Sequence, residues 1–249
     1  MLDSISMQTV GYAFIGGMLP ALMWLYFLLK EDYKHPEPRT VLLIAFVAGM
    51  AAVPLAVPLE SYFRDYAYAS LGCSAYSTLC LPIITGWAVV EETLKYGLAA
   101  LFVLWRRDVD ESIDLVIYML TVALGFAALE NMLFLVEPFA THDFLAALAT
   151  DNLRFVGSTL LHVIASSAIG FSLAFSFRMR RRWRALVASG GLILAIGLHT
   201  TFNFLIIPRD DSHSILTAFL FVWGGAAIFF ALFELLKYFQ YRAEVQPTA

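Results

Sequence analysis

Seven long apolar runs divide the chain, at residues 9–29, 40–59, 81–105, 113–136, 155–177, 185–207 and 215–238. A bilayer core about 30 Å thick takes ~20 apolar residues of helix. Within lipid, a single chain must satisfy its own backbone polar groups, which favours helices. The pattern therefore predicts an all-α fold: a polytopic membrane helix bundle of about seven transmembrane helices in one domain over 1–249, with its core at about 81–207. The first run has no basic residue before it and is too long for a signal-peptide core, so it reads as a retained helix. Pro54 and Pro58 predict a kink in the second run. No internal repeat, low-complexity tract or separate soluble domain is visible.

Composition agrees with this pattern. Hydrophobic residues make up 60% of the chain and charged residues 14%, against about 25% charged in soluble domains. Mean hydropathy is +0.75. There is no glycine-rich phosphate loop and no nucleic-acid motif, and no basic patch is interleaved with aromatics.

The position of the charges says more than their sum. Lys30, Lys34, Arg39, Arg106, Arg107, Arg178, Arg180, Arg181, Arg182, Arg184, Lys237 and Arg242 all fall on one side of the alternating runs. Only Arg64, Arg154 and Arg209 fall on the other. The positive-inside rule then places the N-terminus outside, the C-terminus in the cytoplasm and the basic loop 178–184 in the cytoplasm. The loop 60–80 is extracytoplasmic, and its Cys73 and Cys80 are read as either a disulfide or two free thiols. Residues 141–152 are amphipathic and suit the outer interface. Residues 33–39 form a stiff, proline-restricted connector.

Four runs carry polar groups deep inside. The third holds Glu91, Glu92 and Lys95; the fourth Glu130 and Asn131; the fifth His162; the sixth His199 and Asn203. A charge at the centre of a spanning helix costs at least ~2.5–3.5 kcal/mol, so such groups need a partner, an ion or water. Counted from the outer ends of their runs, Glu91, Glu130, His162 and His199 all lie about 9–15 Å deep at 1.5 Å per residue. Glu91 with Lys95, and His199 with Asn203, are spaced i,i+4 and share a face. Glu91 and Glu92 point about 100° apart, so one is expected to face the site while the other holds it.

Two histidines and a carboxylate are a frequent catalytic zinc set, leaving one position for water. A further carboxylate can take a proton from that water, and a buried amide can donate to a developing oxyanion. His162, His199, Glu130, one of Glu91 and Glu92, and Asn203 supply these parts. A metal-free variant, with glutamate as base and histidine and asparagine at the oxyanion, uses the same residues. Intramembrane carboxylates and histidines also build ion-coupled transporters, although the inverted repeat common in those folds is missing.

The motifs Glu91-Glu92-x-x-Lys95, Phe126-x-x-x-Glu130-Asn131, His162 and His199-x-x-x-Asn203, with Pro36-Glu37-Pro38, resemble the PrsW family of intramembrane proteases. That family lies in the clan of type II CAAX prenyl endopeptidases and bacteriocin-processing membrane proteases. The CAAX branch has histidine at the position of Glu130 and arginine one residue beyond Lys95, so prenylated substrates are not expected. The resemblance implies a multi-pass protease of a bacterial cytoplasmic membrane. Its partner would be a membrane-anchored protein such as an anti-sigma factor, cut near the extracytoplasmic side. On this reading Glu91 is the general base and Glu92 orients the site or shares that role. Lys95 neutralises a carboxylate, and Asn131 supports the site. Glu130, His162 and His199 hold zinc, and Asn203 contacts the oxyanion.

Overall fold

The computed structural model describes residues 6–30, 36–73, 80–141, 143–145, 147–148, 154–206 and 213–245. Seven long helices account for most of them, and among the described residues there is no strand. They are α1 (Met7–Lys30), α2 (Arg39–Ser70), α3 (Leu81–Phe102), α4 (Asp114–Ala140), α5 (Thr159–Phe175), α6 (Arg181–Ile206) and α7 (His213–Val245). Each matches one apolar run. By length and composition five are suited to crossing a membrane: α1, α2, α4, α6 and Leu216–Arg242 of α7. Of the other two, α3 carries the charged Glu91, Glu92 and Lys95, and α5 has 17 residues.

The largest difference from expectation is at α2, which runs on through Ser70. Residues 60–70 are thus helix, not loop. Pro54 and Pro58 lie inside α2 without ending it. The helix stops where Leu71 donates its N–H to the Ala67 carbonyl and Gly72 follows with φ +70°, a conformation that favours glycine. A short connection returns to α3, whose first turn accommodates Pro82 because an N–H is not needed there. Cys73 and Cys80 form a disulfide across it, with Cα atoms 5.7 Å apart. Of the amphipathic stretch 141–152, residues 144, 145, 147 and 148 are helical, and Phe144 and Leu145 are exposed. The rest of it, apart from 141 and 143, lies outside the described residues, as do 33–35 of the connector.

At the centre is α4, buried on all sides from Asp114 to Ala128. It packs against α1, α2 and α5, while α6 packs against α3, α5 and α7. One apolar cluster joins Ala21 and Leu28 of α1, Phe46 of α2, Leu124 of α4, Val163 and Phe171 of α5, and Phe229 and Phe233 of α7. Outward-facing Ile15, Leu43, Leu101, Ile193, Leu220 and Ile228 are exposed. Large apolar surfaces of this kind belong against lipid. At the arginine-rich end, Glu37 from the connector accepts a hydrogen bond from the buried Tyr118 hydroxyl. Nearby, Asp114 accepts from the Asp110 and Glu111 amides at 3.0 and 2.8 Å.

Small residues set the central crossing. A Cβ on Gly125 would lie 2.0 Å from the Phe46 carbonyl oxygen, and one on Gly49 would lie 1.9 Å from that of Val122. Both obstacles are backbone, so α2 and α4 would have to separate. Small residues let helices approach closely in lipid, where van der Waals packing is one of the forces that associate them. Gly125→Val is expected to destabilise the fold by at least ~1–3 kcal/mol, as overpacking does. Thermal melting in detergent checks this, and an unchanged midpoint would refute it.

Candidate active site

Four helices bring their polar groups together. The α3 backbone carries Glu91, Glu92 and Lys95; α4 carries Glu130 and Asn131; α5 carries His162; α6 carries His199 and Asn203. The residues that the depth comparison put at one level are in contact. The His162 and His199 rings are edge-to-face with centroids 5.1 Å apart. Glu91 Oε2 lies 4.0 Å from His162 Nδ1 and 3.8 Å from His199 Nε2.

The adjacent glutamates have different surroundings, as their angular separation requires. Glu92 is fully buried and faces protein. Its Oε1 accepts from Lys95 Nζ at 2.5 Å and pairs with His199 Nδ1 at 2.9 Å. Its Oε2 accepts from Ser166 Oγ at 2.9 Å. Such a carboxylate fixes the imidazole tautomer, with the proton on Nδ1 and the lone pair on Nε2. Glu91 instead lines a cavity, and its buried Oε2 has no hydrogen-bond partner. Lys95 Nζ, also fully buried, sits 3.8 Å from that oxygen and 3.0 Å from His162 Nδ1. It further lies over the Phe126 ring, 4.4 Å from the centroid.

Glu130 stands on the opposite side of His162, with Oε2 3.0 Å from Nε2. The same oxygen accepts from Arg154. Arg154 also donates from Nε to Asn131 Oδ1 at 2.6 Å and from Nη2 to Ser158 Oγ at 3.1 Å, and its guanidinium stacks on Phe134 at 3.9 Å. Asn131 is buried and donates to Thr159 Oγ1 at 2.9 Å. Hydropathy treats Arg154 only as an outer-side charge, because it precedes the apolar run. A π-helical turn, Arg154–Ser158, leads into α5 and turns Arg154 toward the site. Turns of this type recur at functional sites.

The groups open on a cavity of about 500 Å³. Glu60, Glu91, Glu130, Arg154, Ser158, His162, His199 and Asn203 form its polar wall. Val53, Val57, Trp87, Phe126, Phe134 and Phe202 form an apolar one. Glu60 joins because α2 continues past the expected end of its span; its backbone carbonyl accepts from Trp87 Nε1 at 3.3 Å.

Glu91, His162 and His199 are buried and spaced to hold a metal ion, each offering one ligand atom within 4.8 Å of the others. In a tetrahedral zinc site with ~2.0–2.2 Å bonds, ligand atoms lie about 3.4 Å apart. The 3.8 and 4.0 Å separations around Glu91 need a small contraction, and Lys95 Nζ would have to move off His162 Nδ1, from which it lies 3.0 Å. An orphaned buried carboxylate oxygen facing two imidazoles is the donor set such an ion takes.

A family model described as PrsW family intramembrane metalloprotease matches residues 37–233. The chain belongs to the PrsW family. It is 27% identical over 209 residues to Protease PrsW of Bacillus subtilis (strain 168), covering 83% of this chain and 88% of that protein. Protease PrsW of Geobacillus kaustophilus (strain HTA426) is 29% identical over 196 residues, or 78% of this chain and 79% of its own length. Protease PrsW of Oceanobacillus iheyensis (strain DSM 14371 / CIP 107618 / JCM 11309 / KCTC 3954 / HTE831) is 24% identical over 204 residues, with 82% and 87% covered. No solved structure matches the chain. Like other PrsW-family members, this multi-pass membrane protein is an intramembrane peptidase.

Proposed function

We propose that the chain hydrolyses a peptide bond of a membrane-anchored protein near the extracytoplasmic side of a bacterial cytoplasmic membrane, with zinc as cofactor. An anti-sigma factor is the substrate class that the family resemblance supplies. The observation that carries the catalytic reading is Glu91 Oε2, without a hydrogen-bond partner and facing His162 and His199 in a buried, cavity-lining cluster.

This geometry favours exchanging two roles in the reading from sequence. Glu91, His162 and His199 would hold the metal, and Glu130 would be the base. Zinc held there would supply Lewis acidity toward a carbonyl and toward a water. Glu130, on the cavity wall, takes a proton from the attacking water through the oxygen that Arg154 and His162 leave free and returns it to the leaving amine. Arg154 and His162 hold that carboxylate in place. Glu92 orients His199 through Nδ1, and Lys95 balances the buried charge of Glu92. Asn203, on the cavity wall, donates its side-chain amide to the oxyanion. The apolar wall receives apolar side chains of the anchored segment.

A metal-free reading rests on Lys95 Nζ, which already lies 3.0 Å from His162 Nδ1 and 3.8 Å from Glu91. One experiment separates the two. Purified protein is assayed for cleavage of a membrane-anchored reporter and for bound metal, beside His162→Ala and His199→Ala. Near-stoichiometric zinc, lost together with cleavage in both variants, is expected. Full cleavage without metal selects the glutamate mechanism. No cleavage of any anchored substrate by folded, zinc-loaded protein overturns the peptidase proposal.

A further inference from the structure

The arginine-rich end of the bundle contains a second cavity, of about 590 Å³, at the start of α6 beside the end of α3. Its walls include Tyr96, Trp105, Leu173, Met179, Arg181 and Arg184. It is separate from the Glu/His site: Arg184 and His199 are fifteen positions apart on α6, about 22 Å at 1.5 Å per residue.

Three features point to its ligand. First, no acidic side chain lines this cavity among the described residues. The nearby Asp108 is taken by Arg106 at 2.9 Å. Second, Arg184 is held in place by rings. Its guanidinium lies 4.9 Å from the Trp105 centroid and 5.5 Å from that of Phe177. Its Nε is buried and has no hydrogen-bond partner. A buried guanidinium N–H without an acceptor is costly, and the planar fork suits a phosphate. Third, the cavity wall is mostly apolar, through Leu173, Met179, Ala185 and Ala188. Trp105, Met179 and Trp183 at this end are exposed, and tryptophans gather at headgroup level in membranes.

We propose that this cavity binds the phosphodiester headgroup of an anionic phospholipid. Arg184 and Arg181 grip the phosphate, Tyr96 donates its hydroxyl, and the apolar wall takes the upper acyl chain. A basic pocket between transmembrane helices is suited to such lipids. A free phosphate would satisfy the arginines but leave the apolar wall unused, which is why the assignment is to lipid.

The test is thermal melting of the full-length protein in neutral detergent, titrated separately with phosphatidylglycerol, phosphatidylcholine and inorganic phosphate. Phosphatidylglycerol is expected to raise the midpoint at about tenfold lower concentration than phosphatidylcholine, and phosphate to do nothing at millimolar levels. Arg184→Gln and Arg181→Gln should each need about tenfold more phosphatidylglycerol, the size of one charge-assisted hydrogen-bonded contact. Arg182→Gln removes the same charge outside the cavity, from a side chain stacked on Trp183 at 5.6 Å, and should behave as wild type. If Arg184→Gln fails to fold, Arg181→Gln decides. Equal loss in Arg181→Gln and Arg182→Gln would mean diffuse charge attraction and overturn the site. So would equal shifts from both lipids, or a full shift from phosphate alone.

Discussion

Glu91→Gln protein is expected to fold, to carry no zinc and to cut nothing, while Glu130→Gln protein keeps its zinc and cuts about 10²–10⁴-fold more slowly. The contrast follows from what each carboxylate touches. Glu91 Oε2 faces both imidazoles and has no hydrogen-bond partner, so a neutral amide there removes a ligand and gives up only the long 3.8 Å ion pair with Lys95. Glu130 contacts His162 from the far side, is held by Arg154 and lines the cavity, so its loss spares the ligands while removing the proposed base. Loss of a positioned general base costs about two to four orders of magnitude. Metal content and single-turnover cleavage of each variant read the two effects separately. The opposite pattern, with zinc lost in Glu130→Gln and kept in Glu91→Gln, would restore the roles expected from sequence.

Lys95→Met is expected to be the most damaging single change for stability. Lys95 and Glu92 are both fully buried and 2.5 Å apart. Removing one partner leaves Glu92 as an uncompensated buried charge, which costs about 3–5 kcal/mol. The double variant Glu92→Gln/Lys95→Met should regain most of that loss, because no charge is then stranded. It should remain inactive, since His199 Nδ1 loses its carboxylate. Melting of the two variants side by side checks the argument. A double variant no more stable than Lys95→Met would show that the pair matters by shape and not by charge.

Much of this was legible in the sequence. Helix positions follow from apolar length, because the bilayer accepts only segments near its own thickness, and the seven runs found seven helices. The shared depth of Glu91, Glu130, His162 and His199 was also readable, since rise per residue converts position into depth. So was the different facing of the adjacent glutamates, which the helical period imposes.

What lay beyond reach has a common cause. Hydropathy measures burial in lipid and is silent where a helix leaves it, so the continuation of α2 to Ser70 and the arrival of Glu60 at the cavity were hidden. Arg154 looked like an interfacial charge because only the π-helical turn before α5 aims it at Glu130 and Asn131. Which carboxylate faces both imidazoles depends on how α3 and α4 are rotated against α5 and α6. That rotation is set by packing at sites such as Gly49 and Gly125, where one helix rests on the backbone of another. The sequence by itself determined the membrane helices, the level of the polar groups and the family. The tertiary structure decided which groups meet, because rotation about a helix axis and contact between helices leave no trace in a one-dimensional pattern of apolar and polar residues.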